Sequence, residues 1–286
     1  MTEHLGPRAC VVGWPIAHSR SPLIHGFWLR SLGLNGSYER EAVPPCAFAE
    51  FAVRIGANGL VGANVTVPHK EAAYAVCDKP TKTAAELGAV NTLWREGGKL
   101  CGDNTDVAGF LANLDEQAPA WRERADVAIV LGAGGAARAV VSGLLSRKVE
   151  KLIIINRTPE RGQGVAAHFG GRVVARDWGD LPSQLEQAGL LVNTTLLGMA
   201  GQPPLDIDLA PLAAGAIVAD IVYVPLETPL LAAARARGLQ TVEGLGMLLH
   251  QAAPGFERWF GVRPKVTPEL RALIEADVTK SSERKP

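Results

Sequence analysis

Apolar residues in this chain come in two rhythms. Short bursts, several rich in β-branched side chains, alternate with longer stretches where apolar positions return every three or four residues. The first rhythm reads as strands and the second as helices with one buried face. Strands are expected at Ala9–Val12, Tyr38–Val43, Leu60–Val67, Gly88–Trp94, Lys99–Cys101, Val127–Leu131, Leu152–Ile155, Arg172–Val174, Leu190–Val192 and Ile217–Asp220. Helices are expected from Ser21-Pro22 to about Leu32, over Cys46–Ile55, from Lys70 to about Val76, and over Thr81–Leu87 and Val107–Leu114. Later ones run from Thr228-Pro229 through Arg237, from Gly244 to about Phe260, and onward from Thr267-Pro268. Ser21 reads as a helix cap with Pro22 as the first helical residue, and Gly97-Gly98 reads as a hairpin turn. Strands alternating with helices imply an α/β protein containing a doubly wound parallel sheet.

The stretch Val127–Arg138 organises the second half. A strand runs into Gly132-Ala133-Gly134-Gly135-Ala136 and then into an Ala-rich helix. Gly132 permits a tight turn, Gly134 a close backbone approach, and Ala137 tight packing of helix on strand. The helix N-terminus then faces outward, ready for a phosphate. An NAD site would place a carboxylate about 20 positions on, to hold the ribose hydroxyl. The next strand instead ends in Asn156-Arg157-Thr158, with Arg161 close behind and no carboxylate before Glu160. Arginine forks onto phosphate oxygens, so these residues suit the 2′-phosphate of NADP. A solvated strand end with Thr158 as a helix cap is the plainer alternative.

Other polar clusters sit at element ends. Ser19 and Ser21 flank a helix start, where hydroxyls and unpaired amides make a carboxylate site. Asn64 and Thr66 are two apart on one strand and share a face. Lys70 stands in the first turn of a helix, where its charge opposes the dipole, so helix stability does not call for it. Asp106, by contrast, suits a helix start for stability alone. Asn193-Thr194-Thr195 and Asp220-Ile221-Val222-Tyr223 fall at strand ends, the ligand edge of a parallel sheet. Met247 and Gln251 are one turn apart, although a core role accounts better for Met247.

Composition narrows the field further. The 286 residues are 47% apolar, and 29 basic residues balance 29 acidic ones. A zero formal charge without a basic run speaks against nucleic acid or a membrane surface as partner. No apolar run reads as a membrane span. Cys10, Cys46, Cys77 and Cys101 are dispersed, which disfavours a zinc site or a disulfide framework and suits the cytoplasm. The first residues do not read as a signal peptide, and Lys280–Pro286 reads as a frayed tail.

Taken together, Gly13–Pro22, Asn64–Lys70, Ala89–Thr92, Gly102–Phe110, Gly132–Ala137, Asn156–Thr158, Asn193–Met199, Asp220–Tyr223 and Gly244–Gln251 resemble the motifs of the shikimate dehydrogenase family, in order and spacing. The resemblance implies reversible reduction of 3-dehydroshikimate to shikimate with NADPH, in aromatic amino acid (chorismate) biosynthesis. It implies two domains: a discontinuous α/β substrate domain (1–106 plus 242–286) and a Rossmann-like NADP domain (107–241). Lys70 and Asp106 would be the catalytic pair. Ser19 and Ser21 would bind the substrate carboxylate, and Asn64, Thr66, Asn91, Tyr223 and Gln251 would surround the ring hydroxyls. Gly132, Ala133, Gly134, Gly135, Ala136, Asn156, Arg157, Thr158, Arg161, Thr195, Ile221, Gly244 and Met247 would hold NADP. No metal is implied, because an ammonium can polarise the carbonyl and supply its proton. In the oxidative direction Lys70 must accept a proton, which calls for a lowered pKa. Gly26 and Leu196 depart from the family pattern, which often has Asn and Ser there. A quinate or dual quinate/shikimate dehydrogenase is an alternative, as is a metabolite-binding sensor without catalysis. A homodimer is compatible with the sequence, which does not fix the oligomeric state.

Overall fold

The computed structural model describes residues 6–283. The chain divides into two compact units. One runs to Asp106 and resumes over Gln251–Ile274; the other comprises Val107–His250 and the residues from Glu275 on.

The first unit contains β1 (Arg8–Gly13), α1 (Ser21–Ser31), β2 (Ser37–Ala42), α2 (Phe48–Val53), β3 (Leu60–Val65), α3 (Lys70–Ala75), β4 (Lys79–Pro80), α4 (Lys82–Leu87), β5 (Thr92–Glu96) and β6 (Lys99–Asp103). Its sheet has the order β2-β1-β3-β5-β6-β4. Strands β2, β1 and β3 are parallel, whereas β5 runs antiparallel to both β3 and β6. Cys10, Val12, Ala63 and Val65 face one core with Phe48, Phe51 and Ile55. The neighbouring Ala9 and Val11 face the other side, with Tyr38 and Trp259. This alternation is the strand period of two.

The second unit holds α5 (Asp106–Gln117, whose first residue closes the other unit), β7 (Val127–Leu131), α6 (Gly135–Ser146), β8 (Lys151–Ile155), α7 (Pro159–Phe169), β9 (Val173–Arg176), α8 (Leu181–Leu185), β10 (Leu190–Asn193), β11 (Ile217–Asp220), α9 (Pro229–Ala236) and β12 (Gln240–Val242). The order β12-β11-β10-β7-β8-β9 is wholly parallel. Counted from β7, this is the 3-2-1-4-5-6 order of a Rossmann-like sheet. Ala128, Val130, Leu152, Ile154, Leu190 and Val192 enter one core, and Ile129, Leu131, Ile153, Ile155 and Leu191 the other. Burial on both faces explains why these strands read as unbroken apolar runs. Two helices complete the chain, α10 (Leu245–Phe260) and α11 (Pro268–Glu283).

Several local expectations need correction. Ser21 is the first residue of α1 rather than its cap; Arg20 holds the cap position and makes no capping bond. The stretch expected as one helix over Cys46–Ile55 is a 3-10 turn, Pro45–Ala47, followed by the shorter α2. Strand β3 stops at Val65, so Thr66 lies beyond the strand that was to present it. The tail is not frayed where it is described, because α11 continues to Glu283. Leu270, Ile274 and Val278 repeat every four residues and are buried, and the Thr279 and Ser281 hydroxyls bond carbonyls one turn back. Residues 284–286, and most of the segment read for a signal peptide, lie outside the described residues. Among the described residues no helix is long and apolar enough to cross a membrane.

Candidate active site

Lys70 opens α3, and its position follows from the turn before it. His69, 1% exposed, stacks on Phe48 and its Nε2 meets the Val43 carbonyl at 2.7 Å. The Lys70 carbonyl accepts from the Val90 amide at 2.9 Å. With the backbone pinned on both sides, Lys70 Nζ donates to Asp106 Oδ2 at 2.5 Å. The side chains are 30% and 14% exposed, so solvent reaches the ammonium more than the carboxylate. Asp106 Oδ1 accepts from Asn91 Nδ2 at 2.8 Å. The pair is thus an ammonium and a carboxylate held at the edge of a polar network.

That network absorbs Asn64, Asn91 and Gln251. Asn91 Oδ1 accepts from the Thr105 amide at 2.8 Å and from Thr92 Oγ1 at 3.0 Å. Its Nδ2 has a longer bond, 3.5 Å, to Gln251 Oε1. Asn64 accepts from the Tyr38 hydroxyl at 2.6 Å and donates to the Asn91 carbonyl and Thr92 Oγ1. Both asparagines are almost fully buried. Thr66 is fixed by its amide bond to the Val12 carbonyl and lies over Gly13, where an added Cβ would meet Thr66 Cγ2 at 2.6 Å. Ser19 and Ser21 pair at the head of α1, Oγ to Oγ at 3.3 Å, and Arg40 anchors the loop through the Ser19 carbonyl. Ser21 is spared from capping, and its hydroxyl stays beside the first turn of the helix.

Behind these groups lies a residue that sequence reasoning did not single out as functional. His25 is wholly buried and stacks on Tyr38 at 3.8 Å with 3° between the ring planes. Among the described residues, neither ring nitrogen has a hydrogen-bond partner. Burial lowers the imidazole to about 3, opposed by the Asn64 side chain. The unfolded chain takes up a proton at His25 below about pH 6.5, whereas the folded chain does so only near pH 3. Folding stability from this group is therefore present at neutral pH and falls as pH drops through that window. Asp220 works in the opposite sense: burial raises it to about 6, against bonds from the Val222 amide, Thr228 and Asn193. In His25→Phe, the loss of unfolding free energy between pH 7 and pH 4 should shrink by about 3 kcal/mol. Urea unfolding of both proteins at the two pH values checks this, and an unchanged difference refutes it.

The second unit carries the residues expected to hold a dinucleotide. Gly132 follows β7 with φ +103° and an added Cβ would meet Thr194 Oγ1 at 2.8 Å, so both turn and packing demand glycine. Gly134 and Gly135 are exposed at the head of α6, and a Cβ on either would meet nothing within 4 Å. Ala133 and Ala136 flank them half-buried, while Ala137 is fully buried in the core. Beyond β8, Arg157, Thr158 and Arg161 are exposed, with Asn156 Nδ2 bonded to the Thr158 carbonyl. Thr158 occupies the cap position of α7, but its side chain makes no capping bond. Thr158 thus stands where the plainer reading put it, without the side-chain bond a capping hydroxyl would add. An open glycine turn beside two exposed guanidiniums fits a phosphorylated dinucleotide.

Other expected cofactor residues have structural work of their own. The Thr195 hydroxyl bonds Asn193 Oδ1 at 2.8 Å and receives the Leu197 amide. An added Cβ on Gly244 would meet the Ile221 carbonyl oxygen at 2.4 Å, so glycine lets these segments touch. Met247 packs half-buried against the core. Tyr223 and Ile221 follow β11 and are half-buried. Leu196 is 62% exposed. Among the described residues, no group of three or more His, Cys, Asp or Glu side chains could hold a metal ion.

Comparison with known proteins agrees along most of the chain. Residues 11–93 match the shikimate dehydrogenase substrate binding domain, 117–197 the shikimate / quinate 5-dehydrogenase model, and 244–273 the shikimate 5'-dehydrogenase C-terminal domain. A shikimate dehydrogenase (NADP(+)) from Methylocella silvestris is 60% identical over 275 residues, covering 96% of this chain and 98% of the relative. One from Rhodopseudomonas palustris strain TIE-1 is 59% identical over 270 residues, covering 94% and 96%. Among solved structures, the Thermus thermophilus shikimate 5-dehydrogenase with NADP(H) and shikimate has a TM-score of 0.79 at 36% identity, covering 97% of this chain and 99% of that one. The quinate dehydrogenase of Corynebacterium glutamicum with NAD has a TM-score of 0.85 at 30% identity, covering 94% and 99%.

Proposed function

The chain belongs to the shikimate dehydrogenase family, and on that premise we propose that Lys70 and Asp106 carry the proton transfer in its NADP-dependent, reversible reduction of 3-dehydroshikimate to shikimate. The observation that carries this reading is the 2.5 Å contact between the two side chains, with Asn91 on the second carboxylate oxygen.

NADPH, when bound, supplies the hydride to the carbonyl carbon. Lys70 Nζ stabilises the negative charge growing on the carbonyl oxygen and gives that oxygen its proton. Asp106 holds the ammonium in place, and with the substrate present it accepts from the alcohol formed. In the reverse direction Lys70 Nζ takes the alcohol proton back. Ser19 and Ser21 receive the carboxylate with two hydroxyls and the adjoining helix start. Thr66, Tyr223 and Gln251 contact ring hydroxyls in this reading. Asn64 donates both amide hydrogens within the protein, so it meets the ring through Oδ1. Asn91 has one hydrogen to redirect, the one in the long bond to Gln251.

Gly132, Ala133, Gly134, Gly135 and Ala136 would cradle the pyrophosphate, and Arg157, Thr158 and Arg161 the 2′-phosphate. Asn156, Thr195, Ile221, Gly244 and Met247 would shape the remaining wall. We place the substrate domain at 1–106 plus 242–286 and the cofactor domain at 107–241. The dispersed cysteines support a cytoplasmic setting.

The test is NADPH oxidation by the purified protein with 3-dehydroshikimate, repeated with NADH, and the reverse reaction with shikimate and quinate. Turnover should be greatest with NADPH and 3-dehydroshikimate. A preference for quinate with NAD+ would instead favour the quinate dehydrogenase reading, and no turnover with any pair would favour the sensor.

A further inference from the structure

The hydrogen bonds behind the proposed catalytic pair have a forced direction. The Thr105 amide can only donate, so the group of Asn91 facing it is Oδ1, and Nδ2 faces the Asp106 carboxylate. The Asn91 backbone carbonyl can only accept, so Asn64 turns Nδ2 toward it and Oδ1 toward Tyr38. The Tyr38 hydroxyl must therefore donate. Thr92 Oγ1 receives Asn64 Nδ2 at 3.2 Å and passes its own hydrogen to Asn91 Oδ1 at 3.0 Å. Every link points one way, from Tyr38 through Asn64, Thr92 and Asn91 to Asp106, whose other oxygen holds Lys70.

From this chain we infer that Tyr38 and Thr92 are positioning residues for the reduction, polarising and orienting the donors that end on the Asp106 carboxylate. This rests on the reading of Lys70 and Asp106 as the catalytic pair. Neither residue needs to touch substrate. Tyr38 is 7% exposed and Thr92 is 1% exposed. Bonds aligned head to tail in a buried setting strengthen one another, and this chain ends on the carboxylate. Burial pushes the Tyr38 phenol well above its ordinary value, so it keeps its hydrogen at any working pH. The face-to-face stack with His25 holds the ring so that the hydroxyl meets Asn64.

The experiment measures steady-state constants for Tyr38→Phe, Thr92→Val, Thr92→Ser, the Tyr38→Phe/Thr92→Val double variant and Lys70→Ala, with thermal melting of each. Tyr38→Phe preserves the stack and removes only the hydroxyl; Thr92→Val preserves shape. Each should lower kcat about fivefold to tenfold, with KM for NADPH within about twofold of the parent, as expected for a lost buried hydrogen bond. Thr92→Ser restores the hydroxyl and should restore kcat. Because both positions lie on one chain, the double variant should fall no more than about twofold below the worse single one. Multiplicative losses, or kcat near the parent value in both folded single variants, would overturn the inference. If Tyr38→Phe does not fold, the Thr92→Val and Thr92→Ser pair decides alone. Near-normal turnover in Lys70→Ala would instead strike at the catalytic reading beneath it.

Discussion

Lys70→Ala lowers kcat for 3-dehydroshikimate reduction by about a thousandfold while KM for the substrate changes no more than a few-fold. Two losses combine in this variant. On the proposed mechanism the ring oxygen loses the ammonium that balances its growing charge, and it loses the group that hands over a proton. In the proposed reading substrate binding rests elsewhere, on Ser19, Ser21 and the ring-hydroxyl contacts, so affinity should largely survive. The fold should survive as well. The ammonium is 30% exposed, and the carboxylate it leaves behind keeps its bond from Asn91 Nδ2. Circular dichroism and melting of the variant serve as the control. Turnover within tenfold of the parent would remove Lys70 from the chemistry.

The second large effect concerns the choice of cofactor. Arg157→Asp should lower kcat/KM for NADPH about a hundredfold and leave NADH little affected, so the preference between the two collapses. Arg157 follows β8, exposed and beside Thr158, where a guanidinium can fork onto a 2′-phosphate. If Arg157 holds the phosphate as proposed, the substitution removes those charge-assisted bonds and places a like charge near it. A carboxylate there can accept from a free 2′-hydroxyl, as NAD sites do. The loss should appear in KM for NADPH, with kcat at saturation nearly intact. An unchanged ratio of the two specificity constants would exclude Arg157 from recognition of the phosphate.

Much of the architecture was legible from the pattern of residues. The inner parallel strands of the second unit, β7, β8, β10 and β11, are buried on both faces, and burial of that kind leaves an uninterrupted apolar signature. Strands β4 and β12 were missed because each is only two or three residues long, too short to show a period. Helix α2 came out shorter than expected because Pro45 begins a 3-10 turn ahead of it. The α11 extension was missed because polarity was read as disorder, whereas Thr279 and Ser281 satisfy helix carbonyls.

The site was legible more unevenly. Lys70 stood out because its charge opposes the start of a helix, and the glycine turn because its spacing has a mechanical purpose. Asp106 gave no such signal, since an acidic residue suits a helix start anyway. Tyr38 looked like one strand residue among several, and Thr92 like the neighbour of Asn91. Gly26 was noted as a departure from the family pattern, but nothing in the sequence marked its neighbour His25 as a buried neutral imidazole.

The order of residues along the chain determined the classes of element, the parallel sheet, the phosphate-ready turn and the identities of the chemical groups. Those properties are local, decided by side-chain periodicity and by which residues a turn admits. Only the tertiary structure decided that the side chains at 70 and 106 meet, and that hydrogens from Tyr38 onward all point toward one carboxylate. Contacts between residues 36 positions apart, and the direction in which a buried amide faces, depend on which strands become neighbours. Sheet pairing sets that, and no local pattern of residues records it.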